Sequence, residues 1–138
     1  MALSQLFDLF SKKMEYLTQR QALIGQNIAN ANTPDYKGQE LESFDKVFKQ
    51  VTSGNAAAAS GFIMASTDAK HIVPPSVAGT SYKVQKDKDP YEVKPGGNAV
   101  SIEQQMTELA STNSDYQMIT GLYRKTLALV KTALGKAG

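Results

Sequence analysis

Apolar side chains recur in alternating steps of four and three residues at the beginning of the chain. This spacing is typical of a heptad seam, which keeps one narrow apolar stripe facing a partner helix. We therefore predict one helix from residue 3 to about residue 30, roughly 40 Å long at about 1.5 Å per residue. Such a helix is too long and too narrow-faced to be stable alone. Its seam residues are Leu3, Phe7, Phe10, Met14, Leu17, Ile24 and Ile28.

The same alternation returns near the end of the chain. Upstream of it, Pro95–Asn98 cannot continue a helix, and Ser101 is followed three residues later by Gln104, which is the spacing of a capping box. We predict a second long helix from residue 101 onward. Its seam residues are Ile102, Met106, Leu109, Tyr116, Tyr123, Leu127, Val130 and Leu134.

Polar residues interrupt both seams at Gln21, Asn113 and Thr120. Such interruptions usually fix the register of a helix pair or mark contact with something other than a single partner helix. Two interpretations follow. The seams pair within one chain as an antiparallel hairpin, or they pack against neighbouring subunits. The spacing alone does not separate these alternatives.

The middle of the chain differs from both ends, because it holds all five prolines and most of the glycines. Tyr82–Val84 and Tyr91–Val93 have the composition of short strands, whereas Ser53–Ser66 is poor in large apolar groups and is expected to be a mobile loop. The predicted fold class is mainly α, with coiled-coil-like terminal helices and a loop-rich middle that contains a small β element. The predicted segments are an N-terminal helix at 1–31, a middle segment at 32–100 and a C-terminal helix at 101–138.

Composition argues against several classes of function. The net charge is +2, so bulk charge does not single out a polyanionic partner. There is no cysteine, His71 is the only histidine, and no phosphate-binding glycine loop is present. We therefore expect no catalytic residue, cofactor or metal. The sequence also shows no cleaved export signal and no run of the roughly 18 to 20 apolar residues that span a bilayer, which by itself favours a soluble cytoplasmic protein.

The most specific signal lies where the first predicted helix should end, at residues 27–37, which read Asn-Ile-Ala-Asn-Ala-Asn-Thr-Pro-Asp-Tyr-Lys. Asparagine side chains bond to nearby backbone, and Pro34 restricts the residue before it and cannot donate to a continuing helix. The string therefore predicts a helix stop.

This string also resembles the Asn-Ile-Ala-Asn-x-x-Thr-Pro-Gly-Tyr signature of the flagellar rod, hook and hook-associated protein family. Further elements at Leu6–Asp8, Gln19–Gln21, Lys70–Ile72 and Gly97–Val100, and the Tyr116-Gln117 pair, are similar to a proximal rod protein. One departure is Asp35, where the family usually has glycine, so the turn after Pro34 is expected to differ slightly. The motif residues that the resemblance implies are Asn27, Ile28, Ala29, Asn30, Asn32, Thr33, Pro34 and Tyr36.

The resemblance implies a structural subunit of the proximal rod, assembled through its terminal helices. It also implies export by the flagellar type III apparatus without a cleaved signal, which replaces the cytoplasmic expectation with a place in the periplasmic part of the basal body. The implied partners are other proximal and distal rod proteins, the rod-to-MS-ring adapter protein, the MS ring and the export gate. Self-association within the rod is expected, with no nucleic acid and no small-molecule substrate.

Phe44 and Phe48 resemble the Phe-x-x-x-hydrophobic element through which early flagellar substrates engage the export gate. Core pairs on one face of a helix have the same spacing, so a core role is the alternative.

Two alternatives to this assignment follow, one within the family and one outside it. Within the family, the other short proximal rod protein carries extra residues between the motif threonine and tyrosine, and this chain has none. Outside the family, the basic residues of the C-terminal helix suit an amphipathic helix that binds a membrane surface or nucleic acid. These basic residues are Arg124, Lys125, Lys131 and Lys136.

Overall fold

The computed structural model describes residues 2–52, 82–88, 90 and 93–135. Two long terminal helices account for most of these residues, and a small antiparallel sheet lies between them in the sequence. The predicted fold class is confirmed. The elements are α1 (Leu3–Ala29), β1 (Gln39–Leu41), α2 (Phe44–Thr52), β2 (Val84–Lys86) and α3 (Ile102–Gly135).

Helices α1 and α3 pack against each other as an antiparallel hairpin, here called the α1/α3 hairpin. Near one end, the ring of Phe7 meets the ring of Tyr123 edge-on, with centroids 5.2 Å apart. Further along, the side chain of Gln21 donates a hydrogen bond to Asn113. Partner numbers fall on α3 as they rise on α1, so the helices run in opposite directions. The two terminal helices therefore pair within one chain.

Helix α1 forms because its seam is buried along much of its length. Leu17 is fully buried and Ile24 is 3% exposed. Burying a leucine or isoleucine side chain contributes about 1.5 to 3 kcal/mol. At the start of the helix, the backbone N–H of Ala2 donates to the side-chain oxygen of Gln5 at 3.1 Å, which satisfies one otherwise unpaired donor.

Helix α3 begins as predicted, with one half of the capping box. The backbone N–H of Gln104 donates to the hydroxyl of Ser101 at 3.5 Å. The side chain of Gln104 donates instead to Glu108 at 3.4 Å, so the reciprocal bond of a complete box is replaced.

The sheet has two strands, with Gln39 opposite Lys86 and Leu41 opposite Val84. Of the predicted strand segments, Tyr82–Val84 overlaps β2 only at Val84, and Val93 lies outside the strands. The other residues of the second segment, Tyr91 and Glu92, lie outside the described residues. So do the predicted mobile loop at Ser53–Ser66 and the element around His71.

The chain divides into two compact units, one formed by residues 1–41 with 84–138 and one by residues 42–83. The second unit contains α2, a helix that the sequence reasoning did not predict. Here the backbone N–H of Glu42 donates to the carbonyl of Lys83 at 2.9 Å, and Lys46 pairs with the Glu42 carboxylate. That hydrogen bond from Lys46 lowers the pKa of the Glu42 carboxyl.

Candidate functional site

The family-like motif lies at the end of α1, where the helix stops. The side chain of Asn30 turns back and donates to the carbonyl of Gln26 at 2.8 Å, and its own backbone N–H donates to the same carbonyl at 3.1 Å. The hydroxyl of Thr33 then donates to Asn30 at 3.2 Å. These local bonds satisfy backbone groups that the helix leaves open, and they confirm the predicted stop.

Asn27 is the centre of a buried polar network. Its side chain is 2% exposed, and its amide donates to the carbonyl of Gln39 and to the side chain of Gln105, both at 2.9 Å. Its oxygen accepts from the backbone N–H of Gln39 at 2.8 Å and from the Tyr36 hydroxyl at 3.2 Å. Two donors and two acceptor positions are thus filled, and one side chain joins α1, β1 and α3.

Asn98 forms a second connection, from the loop before α3. Its amide donates to the carbonyl of Asn30 at 2.9 Å and to that of Thr33 at 2.6 Å. Its oxygen accepts from the backbone N–H of Val100 at 3.0 Å. The end of α1 and the approach to α3 are therefore held together by hydrogen bonds. Sequence reasoning missed Asn98 and Gln105 as partners, because Asn98 lies 65 and 68 positions from the residues it binds and Gln105 lies 78 positions from Asn27.

The remaining motif residues have different positions. Ile28 is half-buried, whereas Ala29, Asn32 and Pro34 are exposed. The motif residues that stabilise the α1/α3 hairpin are therefore Asn27, Asn30, Thr33 and Tyr36.

Asp35 takes the left-handed backbone geometry that its glycine counterpart would adopt without strain, with φ of 55°. Its backbone N–H donates to the carbonyl of Gly96 at 2.9 Å. Gly97 has φ of 79°, and a Cβ at Gly97 would lie only 2.0 Å from the Asp35 Oδ1. This turn thus tolerates aspartate at 35 and requires glycine at 97.

The predicted seam of α1 largely faces α3. Leu17 and Ile24 are buried, and four more seam residues are half-buried: Phe7, Phe10, Met14 and Ile28. Leu3 is the exception, because it is 47% exposed.

The predicted seam of α3 coincides only in part with the face of the helix that packs against α1. The most buried residues of α3 are Gln105 and Thr112. Both are polar, and both are satisfied: Gln105 accepts from Asn27, and the Thr112 hydroxyl donates to the carbonyl of Glu108 at 2.7 Å. Of the predicted seam residues, Leu109, Tyr123, Leu127 and Val130 are half-buried, and Ile102, Met106, Tyr116 and Leu134 are exposed.

The polar interruptions pair with the opposite helix. Gln21 donates to Asn113, and the Thr120 hydroxyl lies 3.8 Å from the sulfur of Met14. Of the two interpretations of these residues, the structure supports the one in which they set the register of the hairpin.

Helix α3 exposes a second set of large apolar side chains that the seam prediction did not include. Met118 is 58% exposed and Leu129 is 70% exposed, with Leu122 between them. The seam prediction followed one apolar stripe on each helix, so it did not include these residues. Contiguous exposed apolar surface on one element is typical of contact with another molecule. The exposed large apolar residues of α3 are Ile102, Met106, Tyr116, Met118, Leu122, Leu129 and Leu134.

Glu108 lies on the part of α3 that is turned toward α1 and the sheet. Burial raises the pKa of its carboxyl, and the nearby carboxylates of Glu40 and Asp87 raise it further, whereas Arg20 acts in the opposite direction. The charged form of Glu108 is thus disfavoured in the folded chain.

Phe44 and Phe48 lie one turn apart on α2, the first half-buried and the second 37% exposed. This placement fits the helical spacing that both interpretations of the pair require.

Two features of the described residues bear on other functions. Among them, no three His, Asp or Glu side chains come together as a metal site would require. None of the described helices combines the length and the apolar character needed to cross a membrane.

Comparison with known proteins gives a consistent result, although no protein-family model matches the chain. It is 29% identical over 133 residues to the flagellar basal body rod protein FlgB of Agrobacterium fabrum strain C58, an alignment that covers 92% of this chain and 93% of the relative. It is 30% identical to FlgB of Escherichia coli strain K12 over 104 residues, covering 72% of this chain and 71% of that protein. The FlgB of Bacillus subtilis strain 168 is 30% identical over 115 residues, with 83% and 81% covered.

Proposed function

We propose, from the premise that this chain belongs to the FlgB family of flagellar basal body rod proteins, that it assembles through the apolar side chains that α3 exposes. The protein is a structural subunit of the flagellar basal-body proximal rod, and it serves motility as part of that rod.

The observation that carries the proposal is the exposure of large apolar side chains along α3, of which Met106 is 54% exposed and Leu129 is 70% exposed. Removing apolar surface from water contributes about 25 cal/mol per Å², less the cost of ordering the partners. The free energy gained from one such contact is modest, but a subunit that touches several neighbours gains the contributions of all its contacts.

The motif has a supporting role in this proposal. Asn27 and Asn98 fix where α3 begins relative to the end of α1, so the hairpin presents its exposed side chains in one register. We infer that the motif acts within the subunit, and that the exposed surface of α3 acts between subunits.

Place and partners follow from the family resemblance. We propose a position in the periplasmic part of the basal body, reached by type III export without a cleaved signal. The proposed partners are other proximal and distal rod proteins, the rod-to-MS-ring adapter protein, the MS ring and the export gate. The named relatives favour this function over a membrane-surface protein and over the other short proximal rod protein.

The assembly proposal is tested by complementing a strain that lacks the gene with wild type, with Met106→Asp, or with Ser114→Asp as the control. Ser114 is an exposed polar residue of the same helix, so it introduces the same charge outside the apolar surface. Met106→Asp should be secreted but absent from purified basal bodies, and Ser114→Asp should be recovered in them. Normal assembly and swimming of Met106→Asp would show that this surface is not used.

Phe44 is proposed as part of the export-gate element, on the strength of its sequence resemblance. Phe44→Ala should reduce secretion while the helix content of the purified chain, measured by circular dichroism, stays unchanged. Asp45→Ala is the matched control on the same turn of α2. Wild-type secretion of Phe44→Ala would dispose of this role and leave the assembly proposal intact.

A further inference from the structure

We propose, as an extension of the proposed function, that α3 carries two complementary patches and that the first patch of one copy docks on the second patch of the next copy. The first, here called the acidic patch, is formed by Ile102, Glu103 and Met106. The second, the basic patch, is formed by Leu122, Lys125 and Leu129. The occupant of each patch is a second copy of this chain.

The two patches lie on opposite flanks of α3. Thr112, which is fully buried, marks the side that faces α1. At about 100° per residue, Ile102 and Met106 lie roughly 80 to 120° to one side of Thr112, and Leu122 and Leu129 lie roughly 80 to 100° to the other side. Further along the first flank, Asn113 and Thr120 contact α1, whereas Ile102 and Met106 on the same flank are open to solvent.

Both patches are open to solvent. The apolar members of the acidic patch are 43% and 54% exposed, and those of the basic patch are 44% and 70% exposed. Glu103 and Lys125 are exposed, and neither forms an ion pair within the described part of the chain. The side chains are therefore available to a neighbour.

The charges of α3 are segregated along its length. Its acidic residues, Glu103, Glu108 and Asp115, all precede its basic residues Arg124, Lys125 and Lys131. Parallel copies displaced along the axis therefore bring unlike charges together, whereas copies without displacement place like charges side by side. Charge complementarity thus favours a displaced neighbour.

One displacement satisfies all the members of both patches. Moving a parallel copy by about 30 to 35 Å, at about 1.5 Å per residue, places Ile102 opposite Leu122, and Met106 opposite Leu129. The same displacement places Glu103 opposite Lys125. Both charged residues project from the side of α3 that faces away from α1, so they meet at the rim of an apolar contact.

This arrangement joins unlike patches, so each copy keeps one patch free for another neighbour. Such heterologous contacts produce open helical assemblies when the rotation does not close. An apolar membrane surface does not explain both patches, because anionic headgroups repel Glu103 while attracting Lys125. A second copy accounts for both.

The absence of cysteine from the chain permits a direct cross-linking test. Met106→Cys and Leu129→Cys chains, differently tagged, are expressed together in the deletion strain, and purified basal bodies are treated with a mild oxidant. A disulfide-linked product of twice 14.9 kDa that carries both tags should form. Either variant alone should give no such product, and neither should Ser114→Cys expressed with Leu129→Cys.

Two outcomes would overturn the inference. Dimers from either single variant would show that like patches meet, and recovery of both variants in basal bodies without a mixed disulfide would show that another chain occupies the patches. In the second case the proposed function stands, because incorporation into the basal body has been observed. Failure of the wild-type chain to enter basal bodies would instead remove the proposed function.

Charge reversal gives an independent test that leaves the apolar residues in place. Glu103→Lys and Lys125→Glu should each lower recovery in basal bodies by about fivefold, the size of effect that an exposed charge pair typically has. The double variant restores opposite charges and should return recovery to near the wild-type amount. A double variant that is no better than the single variants would contradict the inference, whatever the cross-linking result.

Discussion

Helices α1 and α3 have the same apolar spacing in sequence but very different surroundings in the fold. Leu3 is the one large apolar residue of α1 that is mostly outside the packed face, whereas α3 exposes large apolar residues along its whole length. The most buried positions of α3 are instead a glutamine and a threonine. A seam in sequence shows that a helix has partners, and the buried polar residues show which side the first partner occupies.

The largest expected effect comes from removing a buried side chain of α1. Leu17 is fully buried, so Leu17→Ala should lower the free energy of unfolding by about 2 to 5 kcal/mol. Leu129→Ala, the same change at an exposed position of α3, should alter it by less than about 0.5 kcal/mol. Urea unfolding of the two purified variants measures the contrast. Equal losses would mean that α3 is buried as deeply as α1 and that the comparison is wrong.

A second contrast compares the end of the hairpin at Asn27 with its middle at Asn113. Asn27→Ala leaves buried groups of Gln39 and Gln105 without a partner and should cost about 1 to 3 kcal/mol. Asn113→Ala removes an exposed hydrogen bond to Gln21 and should cost less than about 0.5 kcal/mol. Thermal unfolding of both variants checks this. A larger loss of stability for Asn113→Ala would mean that the polar contact at the middle of the hairpin stabilises it more than the network around Asn27 does.

The turn that leads into α3 offers a coupled pair of substitutions. Gly97→Ala should cost about 1 to 2 kcal/mol, because of its left-handed backbone and the Asp35 carboxylate beside it. Asp35→Gly removes that carboxylate and also relaxes its own left-handed strain. The double variant should therefore lose less than the two single changes added together. Strict additivity in unfolding measurements would mean that the two residues do not interact.

The smallest expected effect concerns the polar inner side of α3. Burial raises the folded-state pKa of Glu108, so the protonated carboxyl favours folding at low pH and that advantage is lost as pH rises through the raised pKa. Glu108→Gln should consequently stabilise the chain at neutral pH, by less than about 1 kcal/mol because solvent screens a half-buried carboxylate. The gain should shrink as the pH falls through the raised pKa and should be absent below the ordinary glutamate pKa of 4.5. Melting temperatures measured across this range test both statements, and a gain that grows on acidification would contradict them.

The sequence predicted the two helices well because large apolar residues dominate their seams, and it predicted the stop after Ala29 because Asn30 and Pro34 disfavour a helix for local reasons. These are effects of near neighbours. The packed side of α3 was not predictable in the same way, because Gln105 becomes a buried residue only by pairing with Asn27, 78 positions away.

The middle of the chain shows the same limit. Helix α2 begins at Phe44. From the sequence, Phe44 and Phe48 were interpreted only as an export element or as a core pair, and no helix was predicted there. The spacing of two aromatic residues indicates a turn of helix but does not by itself predict nine residues of helix. For the candidate assembly surface, the prediction found Ile102 and Met106 but not Leu122 or Leu129, since these lie off the single seam that it followed.

The pairing of α1 with α3 has a consequence for the time at which the chain can fold. The contact between Gln21 and Asn113 spans 92 positions, so α1 lacks its helix partner α3 until the last part of the chain has been synthesised. Closing so long a loop costs entropy before any contact is gained, and folds dominated by such distant contacts form slowly. A ribosome releases the N-terminal end first, so α1 spends most of synthesis without α3. Closure of the hairpin is therefore a late event, and it reports that translation has reached the C-terminal helix.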